Sequence, residues 1–382
     1  MTGRVLDPFA ERVPLLDLAS MHAEVRVELD RAWAAALDGS RFIGGEAVDT
    51  FEAAWAARCG TKHAVGVASG TDALVLSLRA LGIGAGDEVI LPTNTFIATA
   101  EAVALVGATP RFVDVDDRTL LISPGRAMSE IGARTAAVIV VHLYGNGAWL
   151  DELRAVADRH GIALLEDASQ AHGAMWRGRP LGSYGRLGTF SFYPGKNLGA
   201  LGDGGAVVTD DDDLARSIRS LANHGRCETD GARHRRGGMN SRLDAIQAAV
   251  LTAKLPRLEA WNEARRAIAR QYRERLGGIV RMVEDGDGAV PVHHQFVVRI
   301  PDRDRVRRDL ADVGIETGIH YPTPCHRQPG WERYPTSEMV VAESASEEIL
   351  SLPISPHLGA SQVSFVCEAL AQAVRPLEVI GG

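Results

Sequence analysis

Cysteine is scarce. The 382 residues hold four, Cys59, Cys227, Cys325 and Cys367, and no two form a C-x-x-C pair. That spacing indicates neither a disulfide framework nor a zinc ribbon, so the thiols read as reduced. Long apolar runs are also missing. No stretch approaches the roughly 20 uninterrupted apolar residues of a membrane-spanning helix. The first residues, Met1–Asp7, carry no apolar h-region, so no signal peptide is expected and a cytoplasmic protein is. Basic charge is not in excess: 41 Lys and Arg stand against 49 Asp and Glu, a formal net charge of −8. An extended surface that tracks nucleic-acid phosphates is therefore not expected, though a local basic pocket is compatible with that balance.

Several nucleotide and metal motifs are missing too. A P-loop ending at Gly195-Lys196 would need glycine where Phe190 stands and Ser or Thr where Asn197 stands. No G-x-G-x-x-G opens a helix after a strand with an acidic residue suitably downstream. His293-His294 and His320…His326 match no metal spacing. These histidines read as ordinary side chains or substrate contacts, and no metal is expected.

What is present is an ordinary globular composition, 46% hydrophobic and 24% charged, in a chain long enough for two or three domains. Apolar positions at helical spacing predict a helix over 21–38 and another over 47–58. From about 63 to 210, apolar runs (63–67, 87–91, 110–115, 137–142, 162–167, 188–193, 205–209) alternate with helical stretches (70–81, 96–107, 150–160). That alternation predicts an α/β domain with a mostly parallel sheet. A long helical stretch follows, with Ser241 as its expected cap and Pro256 as a kink or division. The C-terminal part predicts a strand over 295–300, a charged helix over 302–313, a Pro-rich loop over 321–329 and a last helix over about 360–374. The expected domains are 1–240 (large α/β), 241–275 (connecting helix) and 276–382 (small α+β).

Two residues carry the first chemical suggestion. Asp167 ends the apolar run Ile162-Ala-Leu-Leu-Glu-Asp167, where open α/β sheets bind ligands. A carboxylate there could hold a protonated pyridine nitrogen, or serve as a helix cap or salt-bridge partner. Lys196 lies on a glycine-flanked loop, Ser191-Phe-Tyr-Pro-Gly-Lys-Asn197. A desolvated lysine can form a Schiff base with an aldehyde, while an exposed one is merely solvated. Together the two suggest pyridoxal phosphate, whose electron-sink chemistry uses both partners. Ser69-Gly70-Thr71 joins a strand to a helix, a place for an anion or a plain N-cap. Phe96 opens another helix and could stack on a cofactor ring or pack in the core.

Taken together these segments resemble the DegT/DnrJ/EryC1/StrS family of pyridoxal-phosphate-dependent sugar aminotransferases. The resemblance is carried by Gly70-Thr-Asp-Ala-Leu74, Gly86-Asp-Glu-Val-Ile90, Val141-His-Leu-Tyr-Gly145, Glu166-Asp-Ala-Ser-Gln-Ala-His-Gly173, Ser191–Asn197 and Asn240-Ser-Arg-Leu-Asp-Ala-Ile-Gln247. It implies a fold-type-I aminotransferase, with a seven-stranded sheet domain and a smaller C-terminal α+β domain. It also implies a homodimer with shared active sites. Lys196 then matches the Schiff-base lysine and proton shuttle, and Asp167 the pyridinium partner. Gln170 matches the residue near the cofactor's phenolic oxygen. Gly70, Thr71 and Ser191 match the phosphate cradle, Phe96 the stacking aromatic, and Asn240 a phosphate contact from the other subunit. Ser169 departs from the commoner alanine. The family's dehydratases carry histidine in place of this lysine, so Lys196 favours transamination.

The resemblance implies amine transfer from an amino acid, with L-glutamate the first choice, to a nucleotide-linked keto sugar. His320-Tyr321-Pro322 resembles the substrate loop of members acting at sugar C3, which favours a dTDP-3-keto-6-deoxyhexose. A 4-keto hexose or pentose is the alternative. A ketocyclitol, a dehydratase and a non-catalytic regulator rank lower. The basic stretch holding Arg226, Arg233, His234, Arg235, Arg236 and Arg242 suggests a contact to the diphosphate, or a solvated loop.

Overall fold

The structure is a computed structural model that describes residues 12–227, 230–334 and 336–375. Met1–Asp7, on which the signal-peptide expectation rests, lies outside the described residues, as does the chain beyond 375.

Three helices lead in: α1 (Leu18–Glu24), α2 (Arg26–Gly39) and α3 (Glu46–Cys59). The single helix expected over 21–38 is two. Val25, a β-branched residue with φ −113° and ψ 19°, separates them. The break lets Met21, Val25 and Leu29 meet Val250 and Trp261 in one apolar cluster.

Strands and helices then alternate: β1 (His63–Val67), α4 (Gly70–Ala80), β2 (Glu88–Pro92), α5 (Ile97–Leu105), β3 (Thr109–Val113), α6 (Pro124–Ser129), β4 (Thr135–Val141), α7 (Leu150–His160) and β5 (Ala163–Asp167). The short pair β6 (Met175–Trp176) and β7 (Arg179–Pro180) precedes β8 (Leu187–Ser191), β9 (Gly205–Thr209) and α8 (Asp212–Ala222). Asp211 caps α8, accepting from the Asp213 and Leu214 N–H groups, so the run of four aspartates does open a helix.

Seven strands form one sheet in the order β1-β9-β8-β5-β4-β2-β3. Neighbours are parallel except where β9 pairs with β1 and β8. Every residue of β2, β5 and β9 is buried, as both faces are covered by helices. Side chains alternate between the two covers: Leu165 and Val207 join one core cluster, Leu164 and Val208 the other. The parallel strands put their C-terminal ends on one edge, where the loops to α4 and α5 and the loop after β5 gather.

The sheet domain passes into α9 (Ala245–Lys254), a 3₁₀ turn at Leu255–Arg257, and α10 (Leu258–Leu276). Pro256 divides the stretch as expected, because it lacks an N–H. The expected cap does not form: Asp244 occupies the N-cap position, and Ser241 Oγ instead accepts from the Ala68 N–H at 3.2 Å. Beyond lie β10 (Arg281–Met282), β11 (Ala289–Val290), β12 (Phe296–Arg299), α11 (Arg303–Asp312), α12 (Val340–Glu348), β13 (Ile349–Leu352) and α13 (Ala360–Ala373). β10, β12 and β13 form an antiparallel sheet with its own core, built from Tyr272, Phe296, Val298, Leu350 and Val366. β11 pairs with β6, tying this smaller α+β unit to the large one. Among the described residues no helix is long and apolar enough to cross a membrane.

Candidate active site

A cavity of about 580 Å³ opens at the C-terminal edge of the sheet. That is the size range of small-molecule and cofactor sites. Gly70, Thr71, Phe96, Asp167, Gln170, Ser191, Lys196, His320 and Tyr321 all line it.

One corner is built for an anion. Ser69 caps α4, its Oγ accepting from the Asp72 N–H at 3.1 Å. First-turn N–H groups such as those of Gly70 and Thr71 have no acceptor within the helix, and they carry the positive end of its dipole. Gly70 is glycine because of Ser191: a Cβ at position 70 would sit 2.6 Å from the Ser191 Cβ. The close approach brings the Ser191 side chain to the same corner.

Asp167 is buried at the end of β5 and fixed by two donors. Thr99 Oγ1 donates to Oδ2 at 2.8 Å and the Ser169 N–H donates to Oδ1 at 3.2 Å. Thr95 Oγ1 lies 2.8 Å behind Thr99 Oγ1. The neighbouring Glu166 anchors the strand end from the opposite face. It accepts from the N–H groups of Gly182, Tyr184 and Gly185 and lies 2.7 Å from His142 Nε2. Held this way, Asp167 is an oriented acceptor on the cavity wall, with acceptor capacity left over.

Lys196 projects from a fixed loop. Its N–H donates to the Tyr193 carbonyl at 2.8 Å. Asn197 ties the loop to α10 through Asn262, and Lys254 Nζ donates to the Gly199 carbonyl at 2.7 Å. Burial lowers the Lys196 amine to about 8, against the opposing pull of Asp167. The histidines around it stay neutral. Burial and then Lys196 push His172 down to about 3 and His320 down to about 4.

A third wall joins the two units. Gln170 Oε1 accepts from the Tyr144 N–H at 2.6 Å, and its Nε2 donates to the Tyr321 hydroxyl at 3.2 Å. The Phe96 and Tyr321 rings tilt against each other with centroids 5.6 Å apart. Tyr144 Oη donates to the His320 carbonyl at 2.7 Å, and His320 Nδ1 lies 2.8 Å from Ser351 Oγ.

Asn240 and the whole basic stretch, Arg226, Arg233, His234, Arg235, Arg236 and Arg242, are not brought to the cavity within one chain. Asn240 is exposed and bridges Asn223, Arg235 is exposed, and Arg236 donates to Ser217 Oγ at 2.7 Å. Conversely, Thr95, Thr99, Tyr144 and Gln295 carry or line the site without a sequence expectation for it, and His294, read as an ordinary side chain or a substrate contact, lines the cavity. Thr95 and Thr99 had a readable signal: hydroxyls four apart where a helix starts after a strand, as in the Ser69–Thr71 junction.

The chain is similar to known proteins over nearly its whole length. The family model for the DegT/DnrJ/EryC1/StrS aminotransferase family matches residues 24–371. A dTDP-3-amino-3,4,6-trideoxy-alpha-D-glucose transaminase of Streptomyces venezuelae is 46% identical, over 97% of this chain and 98% of the relative. A UDP-N-acetyl-3-dehydro-alpha-D-glucosamine 3-aminotransferase of Acidithiobacillus ferrooxidans is 45% identical, over 95% of this chain and 98% of the relative. The crystal structure of DesV from S. venezuelae, in complex with a ketimine intermediate, superposes with a TM-score of 0.93 at 45% identity. It covers 96% of this chain and 100% of that one. With the cavity's geometry and a match of this extent, the chain belongs to the DegT/DnrJ/EryC1/StrS aminotransferase family.

Proposed function

We propose that this chain is a pyridoxal-phosphate-dependent aminotransferase that moves an amino group from an amino acid to a nucleotide-linked keto sugar. The observation that carries the reading is the meeting of Lys196, Asp167 and the α4 anion corner in one cavity. The residues fit the cofactor by chemistry. Gly70, Thr71 and Ser191 would hold the phosphate, the fixed Asp167 carboxylate a protonated ring nitrogen, Phe96 a ring face and Lys196 the aldehyde carbon. Gln170 would stand near the phenolic oxygen. When bound, pyridoxal phosphate supplies an electron sink that stabilises charge at the amino-bearing carbon. The chain supplies the proton movements and the orientation. With its amine near 8, Lys196 takes up and returns a proton in the working range, as a general acid–base must. The paired Asp167 keeps its positive partner protonated.

For the acceptor, a dTDP-3-keto-6-deoxyhexose is the first choice, supported by relatives that are 3-amino-sugar transaminases and by His320 and Tyr321 on the cavity wall. A 4-keto sugar is the second. L-Glutamate is the donor of first choice. A homodimer with shared sites is supported by the exposed apolar residues Phe42, Ile43 and Leu201 around α9 and by the exposure of Asn240. Arg226, Arg233, His234, Arg235 and Arg236, all exposed, fit a diphosphate of a substrate held across that interface.

Absorbance tests the reading. The protein with cofactor should show a band at about 410–430 nm that bleaches with glutamate. No visible band after loading and dialysis contradicts it. Arg235→Glu with Arg236→Glu should raise KM for the nucleotide sugar. An unchanged KM removes these two residues from the substrate site.

A further inference from the structure

Asn197, beside Lys196, is almost fully buried, and its side-chain amide is fully committed. Its Nδ2 donates to Asn262 Oδ1 and to the Val292 carbonyl, each at 3.0 Å. The Asn262 amide is itself oriented, because its Nδ2 donates to the His172 carbonyl at 2.8 Å. Asn197 therefore presents Oδ1, an acceptor, to His294 Nδ1 at 3.1 Å. An acceptor opposite a ring nitrogen demands an N–H there. The relay from the His172 carbonyl through Asn262 and Asn197 thus places the imidazole proton on Nδ1 and leaves a lone pair on Nε2.

The ring also stays neutral. It is enclosed by protein, which disfavours the charged form, and the cationic Lys196 and Arg265 oppose a second proton; His320 and His172, which also face it, are neutral. Its backbone is pinned, the N–H donating to the Tyr144 carbonyl at 2.9 Å. His294 lines the same cavity as Lys196 and Tyr321, and Nε2 has no hydrogen-bond partner among the described residues.

We infer that His294 is a specificity-determining residue whose fixed Nε2 lone pair accepts a hydrogen bond from a hydroxyl of the keto substrate. This rests on the proposed transfer to a sugar. A neutral acceptor discriminates between the two molecules that share the cavity. The donor's carboxylates offer lone pairs only and gain nothing from another lone pair. A polyhydroxylated acceptor substrate offers O–H groups, and a group lacking its partner in a buried site is penalised.

Two variants and one spectrum test this. His294→Asn keeps a donor toward Asn197 and loses the Nε2 acceptor, whereas His294→Gln returns an amide oxygen near Nε2. His294→Asn should raise KM for the keto sugar about tenfold. The glutamate half-reaction should change by a much smaller factor, and His294→Gln should recover part of the loss. Nitrogen NMR of histidine-labelled holoenzyme, with His294 assigned by its loss in His294→Asn, should show the Nδ1–H tautomer without titration from about pH 6 to about pH 9. Equal losses in both half-reactions, an unchanged KM for the sugar, an Nε2–H tautomer or titration within that range each overturn the inference. A wild type that aminates no sugar overturns the proposed function and, with it, the hydroxyl assignment. The tautomer is read independently of that outcome.

Discussion

Burial brings the Lys196 amine from 10.5 to about 8. At pH 8 about half of such amines are neutral, against roughly 0.3% of ordinary lysines. The rate of cofactor uptake by the apoprotein should therefore rise as pH passes from about 7 to about 9 and then level off. A rate that keeps climbing toward pH 10.5 contradicts the lowered value. Lys196→Ala should remove the visible band and cut turnover by on the order of 10⁴-fold or more. Asp167→Asn should weaken cofactor retention and slow turnover by on the order of a hundredfold, the loss of a charge-assisted pair. Dialysis and single-turnover kinetics measure both. At this scale the sequence was partly legible. Taken alone, Lys196 reads as readily as a solvated lysine and Asp167 as a cap or ion-pair partner; the flanking motifs are what join the two. The hydroxyl that orients Asp167 comes from Thr99, and the amide that orients His294 comes from Asn197. Such partners meet only through the fold.

At the scale of the element, α4 shows a helix start set by packing as much as by its cap. Ser69 caps it, but Gly70 lets its first turn approach β8 at Ser191. Gly70→Ala forces those elements apart, and cofactor affinity should fall about tenfold with the fold retained, as titration of the apoprotein would show. Helix α9 carries another consequence. Burial lowers the Lys254 amine to about 8. The unfolded chain holds this proton more tightly, so Lys254 costs stability at pH 7, and the cost shrinks as pH rises past 8. Compared with Lys254→Met, the wild type should gain about 1 kcal/mol between pH 7 and pH 9 in chemical denaturation. The break at Val25 and the failure of Ser241 as a cap were not legible. Helical spacing continues unbroken through Val25, and only Val250 and Trp261 across the fold explain its turn. Ser241 has the right residue type but is taken by Ala68.

At the scale of the whole molecule, all seven sheet strands were legible, because their short, mostly apolar runs, fully buried in β2, β5 and β9, are spaced by helical stretches and turn signals. The order β1-β9-β8-β5-β4-β2-β3 was not, since periodicity carries no pairing information. Asn240 and Arg235 are exposed and do not line the cavity of their own chain. If sites are shared, Lys196→Ala mixed with an inactive Asn240 variant should regain about a quarter of wild-type activity, since about half the dimers are mixed and each holds one intact site. No recovery contradicts shared sites. The most direct test of amine transfer to a sugar is NMR of the products after the holoenzyme meets glutamate and a panel of nucleotide-linked 3-keto and 4-keto sugars. The expected result is a new carbon-bound amine on one of these sugars and conversion of glutamate to its keto acid. A band that bleaches with glutamate while every sugar returns unaminated would contradict it.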